Sequence, residues 1–255
     1  MSAPDATSRF SSRVQNYVRY RPSYPPGVLD TLERTAGLKP GAEVADIGAG
    51  TGIFSRLLLE RGWRVRAVEP NDAMRAALDE ALGERDGISS RAAPAEATGL
   101  PEASVDLVTV AHAFHWFDPD KFRAECARIL RPGGWVGLVW NERLTETSAF
   151  ARRYEALLQE YGTDYAAIDH RNVDEAAIAR FFSPQPFRQE SFPFVQRFDY
   201  TGLEGRTLSS SYVPLPDAPN FAPMIAALKE LFQSEASAGE VSFDYKTTLF
   251  FGQLG

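Results

Sequence analysis

Residues 44–52 read VADIGAGTG, an apolar run that meets an acid, Asp46, and then glycines at 48, 50 and 52. Glycines spaced this way at a strand-to-helix turn let the backbone fold tightly and approach a ligand. A dinucleotide fingerprint, G-x-G-x-x-G, would place its third glycine at 53, where this chain has Ile53. The third glycine instead comes one residue early, and Asp46 stands just before the loop. A pyrophosphate would be repelled by that carboxylate, whereas an ammonium group would be attracted. A second acid, Glu69, ends the apolar run of "VEP", 21 positions after Gly48. That is the spacing at which a carboxylate can take both ribose hydroxyls. Loop and acid together point to a nucleoside ligand whose other end is cationic.

The chain has three histidines, His112, His115 and His170. The first two fall in "AHAFHWFD", just past an apolar run, where open α/β sheets bind ligands. His115 reads either as a base or hydrogen-bond donor to a substrate, or with Trp116 as packing under the loop. His112 reads as a pocket wall. His170 lies in the polar stretch "AIDHRNVDE" and reads as a surface residue.

These residues need elements to hold them. Between 43 and 140, short strand patterns ("EVADI", "RVRAVE", "ISSRAA", "SVDLVTVA", "WVGLVW") alternate with helical ones. In "DPDKFRAECARIL" the apolar Phe122, Cys126 and Ile129 share one face. Asp118 and Pro119 supply its cap and first turn, and Gly133-Gly134 is expected to stop it. Strands alternating with helices imply right-handed βαβ units and a parallel sheet. Ahead of this block, a helix is expected around 7–20, with Phe10, Val14 and Tyr17 on one stripe. Pro22 ends it near Tyr20. A second helix opens at Pro26, carries Leu29 and Leu32, and ends at Gly37. After 145, "FARRYEALLQEYG" and "APMIAALKELFQSEA" read as helices, and "FRQESFPFVQRFDY" and "VSFDYKTTLFFGQL" as strands. Two late strands suggest an antiparallel edge on the parallel sheet.

The chain is 255 residues long, 44% hydrophobic and of net charge −7. This composition suits a core-forming domain and disfavours a nucleic-acid partner, which calls for a basic face. The single Cys126 cannot form an internal disulfide, the start lacks a signal-peptide core, and no run approaches a membrane span. The expectation is a cytoplasmic protein with neither membrane nor nucleic-acid partner.

"VADIGAGTG", "VEP", "LPEASVDLVTVAHAFHWFD" and "RILRPGGWVGLVW" resemble the successive motifs of class I S-adenosylmethionine-dependent methyltransferases, with the type-11 small-molecule group the nearest. The flanks "YVRYRPSYP" and "SSSYV" resemble the trans-aconitate methyltransferase-like branch. The resemblance implies a doubly wound, mostly parallel, seven-stranded Rossmann-like sheet with an antiparallel edge strand and a helical cap. One domain spans 1–255, with 1–37 a helical lid, 38–144 the cofactor-binding core, 145–240 a helical insertion and substrate region, and 241–255 the final strand.

By that resemblance Asp46 and the loop Gly48, Ala49, Gly50, Thr51 and Gly52 hold the methionine end of S-adenosyl-L-methionine. Glu69 takes the ribose, while Pro70 and Met74 flank the adenine. Ala95 and Glu96 in "PAEATGLP" meet the adenine edge, although relatives often carry an acid where this chain has Pro94. Ala111 and His112 lie under the sulfonium. No metal is expected.

Such a cofactor brings an activated methyl group, so alignment and water exclusion fall to the protein. A base, for which His115 is the candidate, is needed only if the acceptor must lose a proton. A carboxylate acceptor needs a cation instead. Arg21, Arg19 and Arg143 are candidates, and Arg21 is favoured because Pro22 and the neighbouring Tyr17 and Tyr20 fix its surroundings. "YVRYRP" then reads as a lid in which Tyr17 and Tyr20 exclude water, against the plainer reading of a solvated helix end. Trp116 and Trp140 complete the expected substrate wall, with Trp140 equally readable as core. The expected partner is a small-molecule methyl acceptor, and the oligomeric state is not legible. The competing readings are a nicotinamide-dependent oxidoreductase, disfavoured by Ile53 and by the lack of a Tyr-x-x-x-Lys pair, and a non-catalytic S-adenosylmethionine-binding protein.

Overall fold

A computed structural model of the chain describes residues 13–163, 165 and 175–254. Phe10 and His170 lie outside the described residues. Two helices, α1 (Val14–Tyr20) and α2 (Pro26–Ala36), precede a strand-helix alternation of β1 (Glu43–Ile47), α3 (Ile53–Glu60), β2 (Arg64–Val68), α4 (Asp72–Leu82), β3 (Ile88–Arg91), β4 (Val105–Ala111), α5 (Pro119–Ile129) and β5 (Leu130–Arg143). Then follow α6 (Ala149–Tyr161), α7 (Glu175–Phe182), β6 (Phe187–Phe198), α8 (Tyr200–Leu208), α9 (Phe221–Glu235) and β7 (Val241–Gly252).

The seven strands form one sheet in the order β3-β2-β1-β4-β5-β7-β6. Strands β1 to β5 are parallel, and β7 runs antiparallel to both β5 and β6. The reversed strand is therefore β7, one place in from the edge, and β6 forms the edge itself. A parallel sheet is covered on both faces, and its strands read as nearly continuous apolar runs. Leu29, Leu32, Phe54, Leu58, Leu78 and Leu82 pack α2, α3 and α4 on one face, against Val44, Val65 and Leu249. Phe122, Cys126 and Ile129 of α5, with Phe181 and Phe182 of α7, cover the other, against Ile47, Val108 and Phe250. A third core joins α6, α8 and α9 over the first half of β7 through Tyr154, Leu203, Met224 and Phe243. This is the helical cap.

Local chemistry accounts for the element ends. Asp118 caps α5 by accepting from the Lys121 N–H at 3.2 Å, ahead of Pro119. Gly37 ends α2 in the left-handed conformation at φ 64°. The helix expected over 118–130 ends at Ile129, and Leu130 already begins β5. Pro132 holds the residue before it, Arg131, out of helical geometry, so the chain stays extended beyond Leu130. The first helix is described from Val14, and α1 contains no buried residue. No helix among the described residues is long and apolar enough to cross a membrane.

Candidate active site

The strand order reverses direction between β1 and β4, and ligands bind in open α/β sheets at the carboxyl ends beside such a point. Asp46 and Thr109 are paired neighbours there. The Asp46 carboxylate is fully buried and accepts from Thr109 Oγ1 at 3.0 Å and Ser55 Oγ at 2.6 Å. Burial pushes its pKa up to about 6, with the nearby Glu69 adding to the rise and the two hydroxyls opposing it. Glu69 closes β2 and accepts from the N–H of Gly50 at 2.9 Å and of Asn71 at 2.8 Å. Burial raises its pKa too, against those two hydrogen bonds.

Two cavities meet at this point. The first, of about 250 Å³, is lined by Asp46, Gly48, Ala49, Gly50, Thr51, Ala111, His112 and Trp140, among others. The second, of about 130 Å³, is lined by Glu69, Pro70, Met74, His115 and Trp116, among others. Tyr17, Arg21, Gly48, Gly50, Ala111 and His112 line both, so the two spaces share a wall. Gly50 has φ 56°, and a Cβ built there would meet nothing within 4 Å, so the loop opens onto free space. His112 also adopts a left-handed φ, 58°, which non-glycine residues hold only when their surroundings impose it. Its N–H donates to Val139 O at 2.8 Å.

Four of the expected residues lie elsewhere. Gly52 lines neither cavity; it opens α3 at φ 83°, and a Cβ would press on Leu82 and Leu78 at 2.9 and 3.0 Å. Its glycine serves helix packing rather than a ligand. Ala95 is buried, and Glu96 Oε1 accepts from the Asp118 N–H at 2.8 Å, so this pair holds the start of α5 and lines neither cavity. Tyr20 also lines neither, and its ring packs against Gly205 of α8. His115 faces the cavity of Glu69 and Met74 and is absent from the wall that carries Trp140. It stacks obliquely on Trp116, with ring centres 4.8 Å apart, and Trp116 is 37% exposed at the rim.

The segment that carries α1 is fastened by polar contacts. Arg13 donates to the carbonyls of Leu208, Ser210 and Val213, and Arg21 Nη2 to Ser209 O at 3.0 Å. Gln196 Nε2 donates to Tyr20 O at 3.2 Å. Tyr17 lies beneath the Arg21 guanidinium, 4.8 Å from its carbon. Arg19 is exposed and stands over its neighbour Tyr20.

Sequence reasoning did not reach Arg206, Tyr212 and Tyr245, which line the first cavity with Arg21 and Arg143. Arg143 pairs with Glu155 at 2.7 Å and meets the Tyr165 hydroxyl at 3.1 Å. The α8 segment "YTGLEGRTL" gives little helical signal because Gly202 and Gly205 both weaken it. Its burial of Arg206 follows only from the fold.

Comparison with known proteins bears on this geometry. Residues 45–138 match the methyltransferase domain family of the type-11 group. The chain superposes on the solved structure of a candidate type II methyltransferase from Anaeromyxobacter dehalogenans with a TM-score of 0.67 and 27% identity, over 92% of this chain and 98% of that one. An uncharacterized methyltransferase of Mycobacterium tuberculosis is 44% identical over 146 residues, 56% of each chain. A malonyl-[acyl-carrier protein] O-methyltransferase of Methylococcus capsulatus is 31% identical over 195 residues, 75% of this chain and 62% of that protein. The chain thus spans a little over half the length of the curated relatives it matches. Within the matched residues 45–138 fall Asp46, the glycine loop, Glu69 and both histidines of "AHAFHWFD"; Trp140 and the arginines of the first cavity lie outside them.

Proposed function

We propose that this protein is an S-adenosyl-L-methionine-dependent methyltransferase acting on a small-molecule acceptor that carries a carboxylate. Asp46 would hold the cofactor's ammonium, the loop 48–51 its methionine backbone, Glu69 the ribose hydroxyls, and Pro70 and Met74 the adenine. The open space over Gly50 and the buried Thr51 hydroxyl, which has no hydrogen-bond partner, fit that group. When bound, it supplies a methyl group already activated on a sulfonium.

The acceptor reading rests on one observation. Four buried polar groups without a partner line the first cavity: Arg21 Nε, Thr51 Oγ1, Trp140 Nε1 and Arg143 Nη1. All can donate and two are cationic, so the ligand that completes the site is an acceptor of hydrogen bonds and an anion. Desolvation by burial, then the charge of Arg206, weakens Arg21's hold on its proton, so an arriving anion relieves both. A carboxylate needs no base, which agrees with His115 standing on the other cavity's wall. Tyr17 and Arg21 close the junction of the two cavities and keep water from the reacting atoms. The O-methyltransferase among the relatives supports oxygen as the atom that takes the methyl group. A cytoplasmic setting fits the buried, unpaired Cys126.

Methyl-labelled S-adenosylmethionine offered with a panel of small carboxylic acids and their amides tests this. Label is expected in the acids and not in the amides. Label in amides alone would overturn the carboxylate reading. Binding of the cofactor with no transfer to any metabolite fraction would favour a non-catalytic role.

A further inference from the structure

We infer that Arg206 anchors an anionic group of the acceptor that does not itself react, and so decides which acceptors the protein takes. The inference rests on the carboxylate reading above and names the residue behind it.

Arg206 is 5% exposed and has no carboxylate partner among the described residues. Its side chain donates to Ser210 Oγ at 3.1 Å and to the Tyr245 hydroxyl at 3.4 Å, and it stands over the Phe243 ring at 6.0 Å. These are neutral partners. Arg143, in the same cavity, has Glu155 at 2.7 Å. A buried charge without a counter-charge is strongly disfavoured. Arg206 also faces a like charge, Arg21. An arrangement of this kind is completed by an anion, and the planar guanidinium fork matches a carboxylate in two parallel hydrogen bonds.

Placement separates the two arginines. Arg21 lines both cavities, whereas Arg206 lines only the first, so Arg206 meets the acceptor and not the nucleoside side. The reaction's charge balance then identifies the group it holds. Methylating a carboxylate oxygen would form an O–C bond as the cofactor's sulfonium S–CH3 bond breaks, leaving a neutral thioether and removing the carboxylate's charge. A guanidinium gripping that same carboxylate stabilises the ground state more than the transition state and slows transfer. A guanidinium gripping a group that stays ionised binds both states equally and lowers KM alone. The acceptor therefore carries two groups, one anchored at Arg206 and one presented to the methyl group.

The test uses succinate, glutarate, 4-hydroxybenzoate and acetate as probes, with Arg206→Met and Arg206→Lys. Wild type is expected to turn over the two-group acids in preference to acetate. In Arg206→Met, KM for those acids rises about ten- to a hundred-fold while kcat changes less than about three-fold. S-adenosylhomocysteine affinity stays at the wild-type value. Circular dichroism of the free variant is expected to show the wild-type fold. Arg206→Lys, with the charge but not the fork, falls between. An unchanged KM in Arg206→Met, or a loss of kcat alone, would overturn the role of Arg206. Wild type that methylates no acid of the panel would instead remove the carboxylate reading and this inference with it.

Discussion

The Tyr20 ring occupies the space that a side chain at Gly205 would need: a Cβ there would come within 2.7 Å of Tyr20 Cζ. The glycine in α8 is thus the seat of α1, which has no buried residue of its own. The same α8 carries Arg206 into the first cavity. The segment proposed as a lid and the wall of the first cavity meet at this contact.

Gly205→Ala tests the seat. Alanine is about 1 kcal/mol the better helix former, so α8 itself gains. The lid is expected to lift nonetheless, with faster amide exchange over residues 14–21 and methyl transfer lower by on the order of ten-fold as water enters the site. Unaltered exchange and turnover would show that Tyr20 does not hold the lid.

Arg21→Ala and His115→Ala separate the two cavities. Arg21 lines both, and its loss is expected to raise KM for a carboxylate acceptor about ten-fold or more, the effect of a charged hydrogen bond worth about 1.5–3 kcal/mol. His115→Ala is expected to change cofactor affinity and leave acceptor KM within about three-fold. Steady-state kinetics with both variants would show the reverse order if His115 were the base.

Much of the arrangement around Asp46 was legible because it is local. Asp46, the loop and Glu69 belong to two successive strand ends, and strand pattern plus glycine spacing fixes where they meet. Within that loop, however, Gly52 looks like its neighbours in sequence and differs only in facing Leu78 and Leu82 across α4. The acceptor side was not legible. Its walls come from residues 140–143, 206–212 and 245–248, which β5, α8 and β7 bring together only after the sheet has closed. Of its cations, only Arg21 and Arg143 stood out as candidates; Arg206 lies in a helix masked by two glycines.

Asp46 gives a pH dependence with a definite sign. Its folded pKa of about 6 lies above the ordinary 3.8, so the folded free protein keeps a proton that the unfolded chain has lost. Its contribution to stability falls as pH rises through that window, reaching a penalty of about 3 kcal/mol above pH 6. The ionised form is the one that binds an ammonium group. Cofactor affinity is therefore expected to rise with pH up to about 6 and level off above it. In Asp46→Asn the affinity is weaker and flat. Titrations between about pH 5 and 8 that give a flat wild-type curve would remove Asp46 from the ammonium site.

Gly50→Val puts a side chain into the open space above the loop at a φ of 56°, a strain of about 1–3 kcal/mol. The fold is expected to survive, as read by circular dichroism, while cofactor binding is lost. Normal turnover in that variant would make the loop a structural turn only.

Calorimetric titration of S-adenosylhomocysteine into wild type, Asp46→Ala and Glu69→Ala tests the central claim most directly. Wild type is expected to bind one equivalent. Each variant is expected to bind about ten- to a hundred-fold more weakly, a loss of about 1.4–2.8 kcal/mol from charge-assisted hydrogen bonds. No binding by wild type, or the same affinity in both folded variants, would contradict the site built on Asp46 and Glu69.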